Sequence, residues 1–340
     1  MVARHRPRLS VAVVVSFVAA GLSLAAAAPV AAGPPPAPGS APPDPPAVTG
    51  FTGGGQGYLL DDGRFQSIAV PGATGTLPFG INDRGEIVGT YDAAGRSHGF
   101  VWDRGRHRTI DAPGATGTTS EGYSGSGAFD INDRGEIVGA YVGEDGHLHG
   151  YLWKRGRFRT IDAPGATDTT AFGINDRGQV SVQAESADES FPEFLWEEGE
   201  FTRIQFPGSV ATLVHKIDDR GQVVGLYLDD AGDQLGFTLN RGRYRSIEFP
   251  GTIATGVNAS NTRGQIVGYI EEGDPAQPTV RGAILHRGRL TTFDAPGPPP
   301  GPAATSAYDI NDRGQIVGAK FPAPETIAAA TRVESLAPSP

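Results

Sequence analysis

Four carboxylates occupy one repeated position in this chain. Asp111, Asp162, Glu248 and Asp294 each stand two residues ahead of a Pro-Gly pair, with Ala69 and Gln205 in the remaining copies. Gathered around one axis, they could bind a hard cation, a sugar or a basic peptide. Two of them held about 5–10 Å apart could cleave a glycosidic bond, one as acid and the other as base or nucleophile. Each could equally cap its own turn by accepting a backbone N–H two residues on. His98 and His149 share a second repeated slot, with His147 close by, and two imidazoles from neighbouring units could ligate a metal. Other units carry Leu235 or Arg281 in that slot and no carboxylate–His spacing accompanies it, so packing is the plainer reading. Glu121 and Tyr123 lie in an insertion near residues 120–127 that occurs once and breaks the repeat, a candidate for specific recognition. No G-x-S-x-G elbow, H-E-x-x-H helix or phosphate-binding glycine loop is present. The sequence therefore offers Asp111, Asp162, Glu248, Asp294, Glu121 and Tyr123 as binding residues, and no catalytic residue, metal or cofactor.

These side chains are positioned by a repeat. A turn motif occurs six times: INDRGEIVG at 81–89 and 131–139, INDRGQVSV at 174–182, IDDRGQVVG at 217–225, SNTRGQIVG at 260–268 and INDRGQIVG at 310–318. Its glycines, from Gly85 to Gly314, are spaced 50, 43, 43, 43 and 50 residues apart. Pro-Gly pairs interleave with it, beginning at Pro71, Pro113, Pro164, Pro207, Pro250 and Pro296. A third motif is an aromatic stretch with a tight turn, such as GFVWDRGRH from Gly99 and GYLWKRGRF from Gly150. Each unit then reads as four short strands, with apolar residues alternating between Gly, Asp and Asn punctuation. Asn-Asp-Arg-Gly and Asp-Arg-Gly are hairpin turns, so the four strands are antiparallel. Four antiparallel strands per ~40–50 residues is the spacing of a β-propeller. The expectation is all-β: a single six-bladed propeller, with units at about 57–98, 99–149, 150–192, 193–235, 236–281 and 282–320. Either each unit is one blade, or the ring closes by pairing N-terminal with C-terminal strands. Pro-Gly loops fall on one face and the tight turns on the other, and the variable Pro-Gly face is where binding is expected. Trp102, Trp153 and Trp196 share a strand slot with leucines, which points to packing between blades rather than sugar stacking.

The pattern H-[AG]-F, then D-x-P-G-A, then G-I-N-D-R-G-Q-I-V-G resembles the extracellular HAF-repeat family. The matching residues are His98-Gly99-Phe100, His149-Gly150-Tyr151, Asp111 to Ala115, Asp162 to Ala166 and the six turn copies. The resemblance covers about residues 57–320 and implies an extracellular location. It brings no catalytic residues with it. Gln205, Glu248 and Thr262 depart from the pattern.

The flanks agree with export. Arg4, Arg6 and Arg8 precede an apolar run from Val11 to Ala28, and Val30-Ala31-Ala32 offers small residues at a cleavage site, so residues 1–32 read as a signal peptide. The alternative is an uncleaved anchor that holds the protein at the cell surface. Residues 33–49 are a Pro-rich linker, residues 50–322 the propeller and residues 323–340 a disordered tail. Cysteine is absent and the net charge is −10, which makes nucleic acid and anionic membranes poor partners. The expected protein is a secreted monomer without stable membrane insertion. It would be a non-enzymatic binding or scaffold module for an extracellular peptide or polysaccharide, the alternative being a carbohydrate hydrolase or lyase using carboxylates on the Pro-Gly face.

Overall fold

A computed structural model describes residues 55–119, 124–188, 190–249, 251–274, 277–296 and 304–321. Two strands, β1 (Gln56–Asp61) and β2 (Arg64–Ile68), open the described chain. A run of four follows: β3 (Gly75–Ile81), β4 (Ile87–Ala93), β5 (Arg96–Asp103) and β6 (Arg106–Thr109). The next is β7 (Ser126–Ile131), β8 (Ile137–Val142), β9 (Leu148–Lys154) and β10 (Arg157–Ile161). Then come β11 (Ala166–Ile174), β12 (Val180–Ser186), β13 (Glu193–Glu197) and β14 (Glu200–Ile204). These lead to β15 (Ala211–Ile217), β16 (Val223–Leu228), β17 (Gln234–Asn240) and β18 (Arg243–Ile247). The last full run is β19 (Ala254–Ser260), β20 (Gln265–Asp274), β21 (Gln277–His286) and β22 (Arg289–Phe293). β23 (Ala304–Ile310) and β24 (Ile316–Phe321) end the described chain.

The four runs from β7 to β22 are four-stranded sheets, antiparallel throughout. The remaining eight strands form one sheet. In it, β1 pairs antiparallel with β24 from the other end of the chain, Tyr58 opposite Gly318. The groups β23-β24-β1-β2 and β3-β4-β5-β6 are joined only by one parallel bridge, Gln56 to Thr76. The strands β3, β7, β11, β15, β19 and β23 pack in succession, and β23 packs against β3. Those strands enclose an axis, and the far edges of β6, β10, β14, β18 and β22 face outward. Each sheet therefore takes its two inner strands from one sequence unit and its two outer strands from the next, and N-terminal strands complete the C-terminal sheet.

Local chemistry explains the turns. At 62–63, 104–105, 155–156, 198–199, 241–242 and 287–288, both residues of a two-residue hairpin have positive φ, as at Arg104 (47°) and Gly105 (83°). That is the hairpin geometry matched to strand twist. The glycine in I-V-G has a different duty. A Cβ at Gly89 would lie 2.8 Å from the Phe100 ring and 2.0 Å from the Leu77 carbonyl oxygen. Its absence lets the ring of the neighbouring strand lie flat against the sheet, and Phe100, Tyr151 and Phe237 are fully buried. In the β11–β14 sheet Val182 fills this slot, and its partner Phe194 is only half-buried. Between sheets, clusters such as Val88, Ile110, Ala128, Ile131, Ile137 and Tyr151 bury the apolar faces.

Candidate functional site

The Asn-Asp-Arg-Gly motif does more than turn the chain. The Asn82 side-chain oxygen accepts the backbone N–H groups of Arg84 (3.1 Å) and Glu86 (3.0 Å). Its amide nitrogen donates to the carbonyl of Asn132 in the neighbouring sheet (3.2 Å). Asn132 repeats this toward Asn175, Asn175 toward Asp218, Asn261 toward Asn311, and Asn311 back to Asn82. A second ladder runs beside the first. The Asp83 N–H donates to the Asp133 carboxylate (2.8 Å), Asp133 to Asp176, Asp176 to Asp219, Thr262 to Asp312, and Asp312 to Asp83. Burial and then neighbouring carboxylates push Asp83 and Asp219 above the usual carboxylate range. The ladders are interrupted at one seam, between the β15–β18 and β19–β22 sheets. Asp218 stands where the other units have Asn, and Thr262 where they have Asp. A carboxylate has no N–H to donate across the seam, and burial raises the Asp218 pKa. Asp218→Asn is expected to stabilise the fold by about 1 kcal/mol. A thermal midpoint raised by about 2–4 °C would register this; a lower midpoint would contradict it.

Under these turns lies a cavity of about 70 Å³ on the axis, room for a few ordered waters. Asp83, Asp133, Asp219 and Asp312 ring its mouth, and Asp130, Lys216 and Asp309 lie within. A β-bulge in every inner strand aims side chains inward, as between Ala128 and Asp130 and between Ala307 and Asp309. The residue preceding the final Ile or Ser of these strands is Gly80, Asp130, Gly173, Lys216, Ala259 and Asp309 in turn. Charged residues thus come from alternate inner strands, with small residues between them. Lys216 Nζ lies 2.6 Å from Asp130 Oδ1 and 3.5 Å from Asp309 Oδ2, and donates to the Phe129 carbonyl. Asp130 accepts the Ile174 N–H (2.7 Å), and Asp309 the Ile81 N–H (2.9 Å). Burial pushes Asp130 up to about 7 against the pull of Lys216, and Asp309 adds repulsion. Below the cavity, Phe79, Phe129, Phe172 and His215 form a chain of ring contacts across adjacent inner strands. Burial lowers His215 to about 4, so the ring is neutral, and its Nδ1 bonds the Val257 carbonyl.

The residues singled out in the sequence lie elsewhere. Asp111, Asp162 and Asp294 follow the outermost strands of three different sheets. Each is bonded to a cationic or imidazole side chain of the adjacent strand. His98 meets Asp111 at 2.8 Å, His149 meets Asp162 at 3.1 Å, and Arg281 meets Asp294 at 2.9 Å. Asp111 also accepts the Gly99 N–H, across the hairpin rather than within its own turn. Glu248 is exposed at the end of β18. No bond joins any two of these four among the described residues. Tyr91 stacks on His98 (5.1 Å) and Tyr141 on His149 (5.3 Å), making the pair a repeated clasp. His149 Nε2 also meets Asp145 (3.2 Å); hydrogen bonds to the Asp162 and Asp145 carboxylates outweigh burial and raise its pKa. Glu121 and Tyr123, like the signal, linker and tail segments, lie outside the described residues. Among the described residues, no group of three or more His, Asp or Glu is placed to hold a metal.

No protein-family model matches the chain, and no curated protein matches it. Solved structures do. A protein assigned as TolB from Agrobacterium tumefaciens superposes with a TM-score of 0.56 at 12% identity, over 79% of this chain and 99% of that one. This is a β-propeller. TolB from Acinetobacter baumannii gives 0.51 at 10% identity, over 80% of this chain and 65% of that one. A fucose-specific lectin from Aleuria aurantia gives 0.43 at 12% identity, over 68% of this chain and 83% of that one.

Within the propeller, the axial cavity sits on the tight-turn face, opposite the Pro-Gly loops where binding was expected. The sequence carried two signals for it. One was the charge alternation Asp130, Lys216, Asp309 in otherwise apolar strands. The other was the Asn and Asp in a turn that glycine and one polar residue would satisfy. Both were missed because their partners lie one or two units away, and a repeat read copy by copy looks self-sufficient.

Proposed function

We propose that the chain is a secreted, six-bladed propeller of the HAF-repeat type that binds an extracellular ligand and does no chemistry on it. The blade count takes the eight-stranded sheet as two blades joined at one bridge. It is supported by the closed succession of β3, β7, β11, β15, β19 and β23. Export rests on the charged, apolar and small-residue sequence of residues 1–32, with an uncleaved cell-surface anchor as the alternative. The repeat motifs quoted above support the HAF assignment, which brings no activity with it. The TolB likeness supports the fold only.

One observation carries binding over catalysis: three of the four repeated carboxylates are already committed to partners in their own blades. Glycoside cleavage needs two carboxylates facing one bond. Asp111, Asp162 and Asp294 instead bond to His98, His149 and Arg281. The Asp130 and Asp309 pair is held by Lys216 in a cavity too small for a sugar. The test is a thermal-shift screen of the secreted chain against divalent metals, chelator, glycans and peptides, followed by hydrolysis assays on any glycan that shifts it. A ligand that prefers the native state raises the midpoint. The expected result is a shift with one ligand class and no turnover. Turnover abolished by a single Asp→Asn change would overturn the reading.

A further inference from the structure

We propose that the outer wall formed by β6 and β10 is a binding surface for a carboxylate-bearing polysaccharide. This rests on the binding-module reading and names its ligand class. β6 is Arg106-His107-Arg108-Thr109, exposed at all four positions on the edge of its sheet, and Arg104 sits in the turn before it. In β10, Arg157 and Arg159 are exposed while Phe158 turns inward; Lys154 ends β9 and Arg155 sits in the turn. The two sheets are neighbours, with β4 and β5 packed on β7. Lys154 is taken by Glu136 (2.6 Å), and Arg104 is 3.7 Å from the exposed Asp103. Among the described residues, Arg106, Arg108, Arg155, Arg157 and Arg159 form no ion pair.

Two further features separate this wall from an ordinary charged edge. Arg108 crosses to the next blade, its guanidinium 5.3 Å from the Trp153 ring centroid, and Arg159 does the same at 5.1 Å from Trp196. Stacking fixes the plane of a guanidinium and occupies its face, leaving the N–H edge for an anion. Charge on edge strands can serve merely to prevent sheet-to-sheet association, and for that purpose the sign is immaterial. Here the sign is sorted. The equivalent hairpin at β13–β14 carries Glu197, Glu198 and Glu200 against Arg203, and the one at β1–β2 carries Asp61 and Asp62 against Arg64, so acids outnumber bases on both. The basic wall is thus bounded on both sides.

Arginine forks match carboxylates in two-point geometry. Half-buried Trp102 lies within the wall and offers apolar surface to a sugar ring. A nucleic-acid duplex places one phosphate per ~1.7 Å. The chain's net charge of −10 opposes so dense an anion more than a uronate chain. The R-x-R alternation hides this wall from a reading by net charge, because no run of basic residues exists in sequence.

The experiment is binding of the secreted chain to polygalacturonate at low salt, with dextran sulfate, neutral dextran, a short DNA duplex and anionic vesicles as separate arms. Two variants are compared, both checked for an unchanged thermal midpoint. One is Arg106→Ser/Arg108→Ser/Arg157→Ser/Arg159→Ser. The other, Arg241→Ser/Arg243→Ser/Arg245→Ser, removes exposed arginines from β18 and its turn. Polygalacturonate is expected to bind, to weaken as salt rises, and to lose about tenfold in affinity in the first variant but under about twofold in the second. Equal losses in both variants would overturn the proposal, as would tighter binding to dextran sulfate, duplex or vesicles. Failure of polygalacturonate to bind a chain that the thermal screen shows binding something else sinks this inference alone; silence in both sinks the binding-module reading with it.

Discussion

Lys216→Met is expected to cost about 3–5 kcal/mol at pH 8, the usual penalty for stripping one partner from a buried ion pair. That corresponds to a fall of about 10 °C in the unfolding midpoint for a chain of this size. The loss comes less from a missing attraction than from what is left behind. Asp130 and Asp309 would face each other across the axis with no cation between them, both almost fully buried. The penalty should depend on pH. In the folded protein Asp130 is raised to about 7 by burial, against an ordinary 3.8. The folded state therefore holds a proton that the unfolded chain has released. Stability from this group is complete below about pH 4 and is lost as pH rises through 7. Without Lys216 the carboxylate keeps its proton to still higher pH, so the variant should suffer far less at pH 5.5 than at pH 8. Urea midpoints of both proteins at those two pH values check this; a penalty independent of pH would contradict the account. Asp130→Leu/Lys216→Met/Asp309→Leu, which removes the whole group, should lie close to the wild type or above it.

A chain lacking residues 1–68 is expected to lose its cooperative unfolding transition altogether. β1 supplies the third strand of the closing sheet, where Gly57, Tyr58 and Leu59 pair with Ala319, Gly318 and Val317. The Tyr58 hydroxyl donates to the Ser306 carbonyl (2.9 Å), and Leu59 and Ile68 share a core with Val317, Phe100 and Ile87. Removing both strands exposes the edge of β24 and opens that core. A domain's net stability of about 5–15 kcal/mol cannot absorb so large a loss. The measurement is circular dichroism on heating, with and without a peptide spanning residues 50–70. A broad, shallow melt that the peptide sharpens is expected. A sharp transition near the wild-type midpoint, in the absence of peptide, would show that ring closure contributes little.

The division between what could and could not be read from the sequence follows the range of the forces involved. Strand number per unit, both hairpin types and the two faces were legible, because periodicity and turn chemistry are local. The pairing of β1 with β24 was one of two open alternatives, since registry between distant strands leaves no local mark. The clasp of Asp111 with His98 was half visible. Both residues recur at constant spacing, yet they were read as separate candidates because strand pairing was needed to set them side by side. The axial group of Asp130, Lys216 and Asp309 was not read at all. Its members are 86 and 93 residues apart and depend on bulges, which shift side chains off the simple two-residue alternation. The arginine wall was obscured for a similar reason: net charge averages over the surfaces that a ring of blades keeps apart.

The proposed ring has six blades and is closed by the chain's own ends. The absence of cysteine allows nitroxide labels to be placed on the tight turns without removing any native thiol. Distances would be measured by electron paramagnetic resonance between labels at positions 84 and 134, 84 and 313, and 84 and 220. Equal distances are expected for the first two pairs, although one spans 50 residues and the other 229. A distance about twice as long is expected for the third, as opposite corners of the proposed six-bladed ring require. A distance between positions 84 and 313 longer than that between 84 and 220 would mean an open array, and would contradict the account.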